Sequence, residues 1–110
     1  MMYENPNLDY LEQLAAGDLT VRKTIYALMV NEFDSDFEAY KKAKLQNDAQ
    51  ACIALVHRLK HKIGFLGMEY SYQIANRYEV ELRRNSDRFA AEFDAVLDQI
   101  HEFIQKTPQL

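Results

Sequence analysis

His57, Arg58, Leu59 and Lys60 stand in succession, with Gly64, Leu66 and Gly67 shortly after. A neutral imidazole keeps an unshared pair on one ring nitrogen and is a good nucleophile near neutral pH. A lysine three positions on lies one helical turn away, where its ammonium can offset the charge of an anion attached to that ring. Together the two residues suit a phosphoryl group carried on His57 and stabilised by Lys60. Arg58 and Lys62 extend the positive field, which draws phosphate in and raises the cost of bringing up a metal cation. A glycine-rich phosphate loop is missing from the sequence, so the expectation is a phosphoryl carrier with no kinase activity or nucleotide site of its own.

Two other readings use the same residues. His57 and His61 stand at i and i+4, a spacing that can place two imidazoles on one metal ion. Two histidines make an incomplete site, no carboxylate shares their turn, and Arg58, Lys60 and Lys62 oppose a dication, so neither a metal nor a cofactor is expected. A helical interaction module that transfers nothing is the other reading, since fold and site chemistry are independent. His101 falls on a polar helix face, and the lone Cys52 sits among apolar residues as a small core side chain.

Positioning His57 falls to long helices. Between Gly17 and Gly64, and again between Gly67 and Pro108, the chain has no glycine or proline. Leu8 to Leu14 predicts a short helix ending near Gly17, and Asp18 an N-cap for the next. On that second helix Val21, Ile25, Leu28, Met29, Phe33, Phe37 and Tyr40 form the expected core stripe, to about Leu45. Asn47 and Asp48 break the pattern, and Asn47 with Gln50 predicts the cap of a third helix. Its stripe is Cys52, Leu55, Val56, Leu59, Ile63 and Leu66, and Gly67 ends it.

On a wheel of 100° per residue, His57 lies about 140° from the centre of that stripe and Lys60 about 80°. His57 is therefore expected in solvent and Lys60 near the surface, where Lys60→Ala would leave the fold intact. A fourth helix spans about Met68 to Arg84, with Ser71, Ala75, Tyr78 and Leu82 inward. Asn85, Ser86 and Asp87 predict the cap of a fifth, whose stripe is Phe89, Phe93, Val96, Leu97, Ile100, Phe103 and Ile104, ended by Thr107 and Pro108. The fold class expected is all-α, an antiparallel four-helix bundle with a short additional N-terminal helix, forming one domain over residues 1–110.

Composition agrees with that class. The 110 residues are 48% apolar and 27% charged, with a net charge of −4, as in an ordinary globular chain. An acidic balance opposes nucleic acid and anionic membrane as partners, because both reward basic surfaces. No apolar run approaches the roughly 18 residues that span a bilayer, and the N-terminus lacks the regions of a signal peptide, so the expected location is the cytoplasm. The starting methionine and full set of helices suggest a free-standing protein, and a monomer is the expected state because one exposed histidine face is sufficient.

The stretch from His57 to Gly67 resembles the phosphoacceptor motif of the histidine-containing phosphotransfer (HPt) domains. That motif reads approximately His-x-Leu-Lys-Gly, five residues, then Gly after an aliphatic, and His57, Leu59, Lys60, Leu66 and Gly67 match in register. Ala16, Gly17 and Asp18 look like the family's lead into its long second helix, and Glu79 falls where the family commonly has Glu or Gln. The resemblance implies a phosphorelay intermediate that takes a phosphoryl group from an aspartate of one receiver domain and passes it to another. Its partners would be the receivers of a hybrid sensor histidine kinase and of a response regulator, with Mg²⁺ supplied by the receiver. It implies His57 as phosphoacceptor, Lys60 as phosphate stabiliser and Glu79 as the group that orients the imidazole. Ile53, Ala54, Arg58, His61 and Gly64 would form the docking surface, Gly64 keeping it flat. The sequence departs from the family pattern at His61, where glycine usually follows the lysine.

Overall fold

The computed structural model describes residues 4–107. Pro108, expected to stop the last helix, lies outside the described residues. Five helices and no strands are present among the described residues: α1 (Asp9–Ala15), α2 (Leu19–Leu45), α3 (Ala49–Phe65), α4 (Glu69–Arg83) and α5 (Ala90–Lys106). Helix α3 packs against both α2 and α4, α5 lies on α4 and α2, and α1 covers part of α2.

The helix ends explain the short connections. Asp18 caps α2 by accepting from the N–H groups of Thr20 and Val21, and Asp48 caps α3 by accepting from Ala51. Helices α2, α3 and α4 each stop at one residue with positive φ: Asn47 (53°), Gly67 (75°) and Asn85 (60°). After each, the next N–H turns back to a carbonyl of the last helical turn, from Asp48 to Ala43, Met68 to Ile63 and Ser86 to Glu81. This closes carbonyls that would otherwise lack partners. Asn47 and Asn85 are therefore terminators of the helices before them, whereas the sequence placed them among the caps of the helices after. Asparagine suits both roles, because its short polar side chain also tolerates the left-handed region.

Helix α5 consequently starts at Ala90, later than expected. Ser86 Oγ accepts from the Arg88 N–H, the Asp87 carbonyl accepts from Ala90, and Phe89 at φ 77° is the N-cap, with no side-chain cap bond. Helix α4 has no local side-chain cap either. Its free N–H groups at Tyr70 and Ser71 instead donate to the Glu4 carboxylate, far away in the sequence.

One apolar cluster joins all five helices, with Leu11, Phe33, Val56, Leu59, Ile63, Ala75, Phe93, Leu97 and Ile100 fully buried. Each larger side chain among these contributes about 2 kcal/mol by leaving water. The expected stripes hold on α3 and α5 but shift on α2, where Val21 and Leu28 are exposed and Tyr26, Asp36 and Ala43 are buried. Taking Phe33 as the inward direction, Tyr26 lies about 20° away and Val21 and Leu28 about 120° and 140° away. Three-and-four spacing alone let the stripe wander around a helix this long. No helix among the described residues is long and apolar enough to cross a membrane.

Candidate functional site

Helix α3 turns His57 outward in its middle turns, with half of the side chain (51%) exposed. The Glu79 carboxylate of α4 reaches the ring, with Oε1 3.1 Å and Oε2 3.2 Å from Nδ1. An ionised carboxylate can only accept, so Nδ1 carries the hydrogen and the lone pair resides on Nε2. Glu79, expected from the sequence to orient the imidazole, thus contacts Nδ1, and Nε2 is the ring nitrogen without that carboxylate.

Lys60 is placed differently from the sequence expectation. Its side chain is only 9% exposed, and Nζ donates to Glu79 Oε1 at 3.1 Å and to Asn76 Oδ1 at 3.3 Å. The Tyr72 ring lies 5.7 Å from the ammonium. The wheel put Lys60 at the edge of the apolar stripe, but α4 covers that edge and supplies the partner that draws the ammonium inward. Lys60 therefore holds Glu79, and Glu79 holds His57. Burial acts to raise the Glu79 pKa, yet hydrogen bonds from Arg83, Lys60 and His57 outweigh it and keep the carboxyl below the usual glutamate range.

His61 stands one turn beyond His57, its Nε2 3.3 Å from His57 Nε2 and the two rings nearly perpendicular with centroids 4.9 Å apart. With the His57 hydrogen fixed on Nδ1, the bond between them runs from His61 Nε2–H to the His57 lone pair. The candidate nucleophile is thus already engaged, by an exposed side chain that can rotate away. A net hydrogen bond of this kind is worth about 1 kcal/mol.

Around the imidazoles the cations are paired. Arg58 reaches Asp36 of α2 at 3.0 Å, Lys62 reaches Glu32 at 2.8 Å, and Arg83 reaches the second oxygen of Glu79 at 3.1 Å. Asp36 is nearly fully buried, and its other oxygen has no hydrogen-bond partner among the described residues.

Ala54, His57, Arg58, His61 and Gly64 are exposed along one side of α3, with Ile53 half-buried at its border. Gly64 has a packing reason of its own, since a Cβ there would stand 3.1 Å from the Tyr72 ring. The residues missing from the sequence expectation are Asn76, Arg83, Tyr72, Asp36 and Glu32. Arg83 was accessible as the i+4 partner of Glu79. The others depend on how α2 and α4 lie beside α3, which no local spacing records.

No family model matches this sequence, and no solved structure matches it. The chain is similar to the sensor histidine kinase GacS of Pseudomonas protegens, with 30% identity over 82 residues. The aligned region is 74% of this chain but only 9% of that protein.

Proposed function

We propose that the chain is a phosphorelay intermediate that carries a phosphoryl group on Nε2 of His57, within two-component signalling. The observation that carries this reading is the exposed imidazole whose Nδ1 faces a carboxylate held by Lys60 and Arg83. The resemblance of residues 57–67 to the HPt motif supports it, as does the similarity to a sensor histidine kinase. The same reading arranges α2 to α5 as the antiparallel four-helix bundle of that family, with α1 as an additional helix.

In the transfer step the Nε2 lone pair attacks the phosphorus of a receiver aspartyl phosphate. The P–N bond forms as the P–O bond to the aspartate breaks, and the aspartate leaves as a carboxylate. The Nδ1 hydrogen stays in place, so the ring becomes positively charged, and the Glu79 carboxylate beside it stabilises that charge in the product. Return transfer to a second receiver reverses these changes. His61 must leave the lone pair before attack, and its N–H can then donate to a phosphoryl oxygen. Lys60 acts through Glu79, as a positioning residue. Receiver domains of a hybrid kinase and of a response regulator are the proposed partners. They dock over Ile53, Ala54, Arg58, His61 and Gly64 and bring the Mg²⁺, leaving this chain a carrier and not an enzyme.

The test is incubation with a receiver domain bearing labelled aspartyl phosphate. Label should move to this chain as acid-labile, alkali-stable phosphate, and His57→Gln should abolish the transfer while circular dichroism stays unchanged. Transfer that survives in His57→Gln, or no labelling of the folded wild type by receivers from the source organism, would overturn the reading.

A further inference from the structure

We propose that His61 is the residue that holds the phosphoryl group once it is on His57, the role that the family resemblance implied for Lys60. This role rests on the phosphorelay reading and adds to it what keeps the group in place. At rest the His61 Nε2–H donates across 3.3 Å to the lone pair of His57 Nε2. A phosphoryl group bonded to that nitrogen takes up the lone pair and sets its oxygens around the same point. The hydrogen bond to nitrogen is then lost, and its donor stands within reach of an anionic acceptor instead.

The neighbouring donors are committed elsewhere. Lys60 donates to Asn76 and to Oε1 of Glu79, the oxygen that lies 3.1 Å from Nδ1, so its ammonium is held on the Nδ1 side of the ring. Arg58 and Lys62 are bound to Asp36 and Glu32 of α2, and Arg83 to the second oxygen of Glu79. Of these side chains only His61 contacts Nε2 of His57 among the described residues. It is exposed on α3, and exposed side chains change rotamer in picoseconds to nanoseconds. Its donor therefore moves from nitrogen to phosphoryl oxygen without any shift of the helices.

The exchange has a direction. A neutral N–H···N bond is given up for a bond to a charged oxygen, and charge-assisted bonds are roughly twice as strong. His61 therefore favours the phosphorylated chain over the free one, although it occupies the lone pair at rest. The positive charge of the phosphorylated ring is met separately, at Nδ1 by Glu79. Removing the His61 imidazole should lower the equilibrium fraction of phosphorylated chain. A residue that only capped the lone pair would have the opposite effect, because its removal would destabilise the free chain alone.

The test uses the whole chain and phosphoimidazole, a small donor that exchanges like for like. Its P–N bond breaks as the bond to Nε2 of His57 forms, the electron pair of the broken bond stays with the departing imidazole, and each ring keeps the hydrogen on its other nitrogen. In an excess of imidazole, the ratio of phosphorylated to free chain, read by phosphorus NMR, reports the equilibrium. His61→Ala should lower that ratio about threefold or more, and His61→Gln, which keeps an N–H donor, should restore part of the loss. Circular dichroism should stay unchanged in both variants, since the side chain is exposed. A ratio that holds or rises in His61→Ala, or an equal loss in His61→Gln, would overturn this role and leave the phosphorelay standing. No phosphoryl group on His57 from either phosphoimidazole or a phosphorylated receiver would overturn the phosphorelay reading, and this role with it.

Discussion

Residues Tyr78 and Glu79 are neighbours on α4, yet they belong to two polar networks with different outcomes. On one side the Tyr40 hydroxyl meets Tyr78 at 3.1 Å and donates to Asp94 at 2.7 Å, and Lys44 reaches the other oxygen of Asp94 at 2.6 Å. That network joins α2, α4 and α5. Burial, followed by its hydrogen bonds, pushes the Tyr40 hydroxyl far above the ordinary tyrosine range, so it remains a neutral donor. On the other side Glu79 gathers Lys60, Arg83 and His57, and the series ends in solvent at an imidazole nitrogen with a lone pair. Both networks join helices, but only the second reaches the surface at an imidazole nitrogen. Buried polar groups fix geometry when every valence is met. Chemistry requires one valence to be left where a partner can reach it.

The largest stability effect that would sharpen this contrast is at Lys60. Lys60→Ala removes one member of a buried pair and should cost about 2–3 kcal/mol in urea unfolding, because Glu79 keeps two other donors. It should also slow phosphoryl transfer by loosening Glu79. Arg83→Ala, at an exposed partner of the same carboxylate, should change stability by only about 0.5 kcal/mol. Equal losses from the two variants would remove the distinction between a buried and an exposed holder of Glu79.

A smaller effect is expected in the closed network. Tyr40→Phe should cost about 1–2 kcal/mol in the same unfolding measurement, with an unchanged labelling rate at His57. A fall in labelling comparable to that of Lys60→Ala would show that the networks are coupled through α4.

The smallest effect lies in the acid limb of the stability curve. The Glu79 pKa is lowered in the folded chain, so the folded state binds fewer protons there than the unfolded state does. Its stabilisation is complete above the ordinary value of 4.5 and is lost as pH falls through the lower folded value. Unfolding midpoints below pH 4.5 should therefore decline less steeply in Glu79→Gln than in the wild type. Parallel curves would show that this carboxyl does not sense its three donors.

His57 was legible because its neighbours mark a helix and its position opposes the apolar stripe. Glu79 was legible only through likeness to a known motif, and its contact with Nδ1 required α4 to lie against α3. Lys60 was misplaced because a helical wheel treats the edge of a stripe as water. The neighbouring helix covers that edge and offers a carboxylate. The same kind of error exchanged the roles of Asn47 and Asn85, since a residue type suited to both ends of a helix does not say which end it serves.

Sequence alone determined that this chain forms helices, where most of them break, and that His57 faces out. These follow from the 3.6-residue period, capping chemistry and glycine's tolerance of positive φ, all of which act within a turn or two. Tertiary structure decided which nitrogen of His57 is free, that Lys60 serves Glu79, and that Glu4 closes the start of α4. It also set His61 at hydrogen-bond distance from the proposed nucleophile. Each of those depends on a rotamer or on a contact between helices, and neither is fixed until the core draws the helices together.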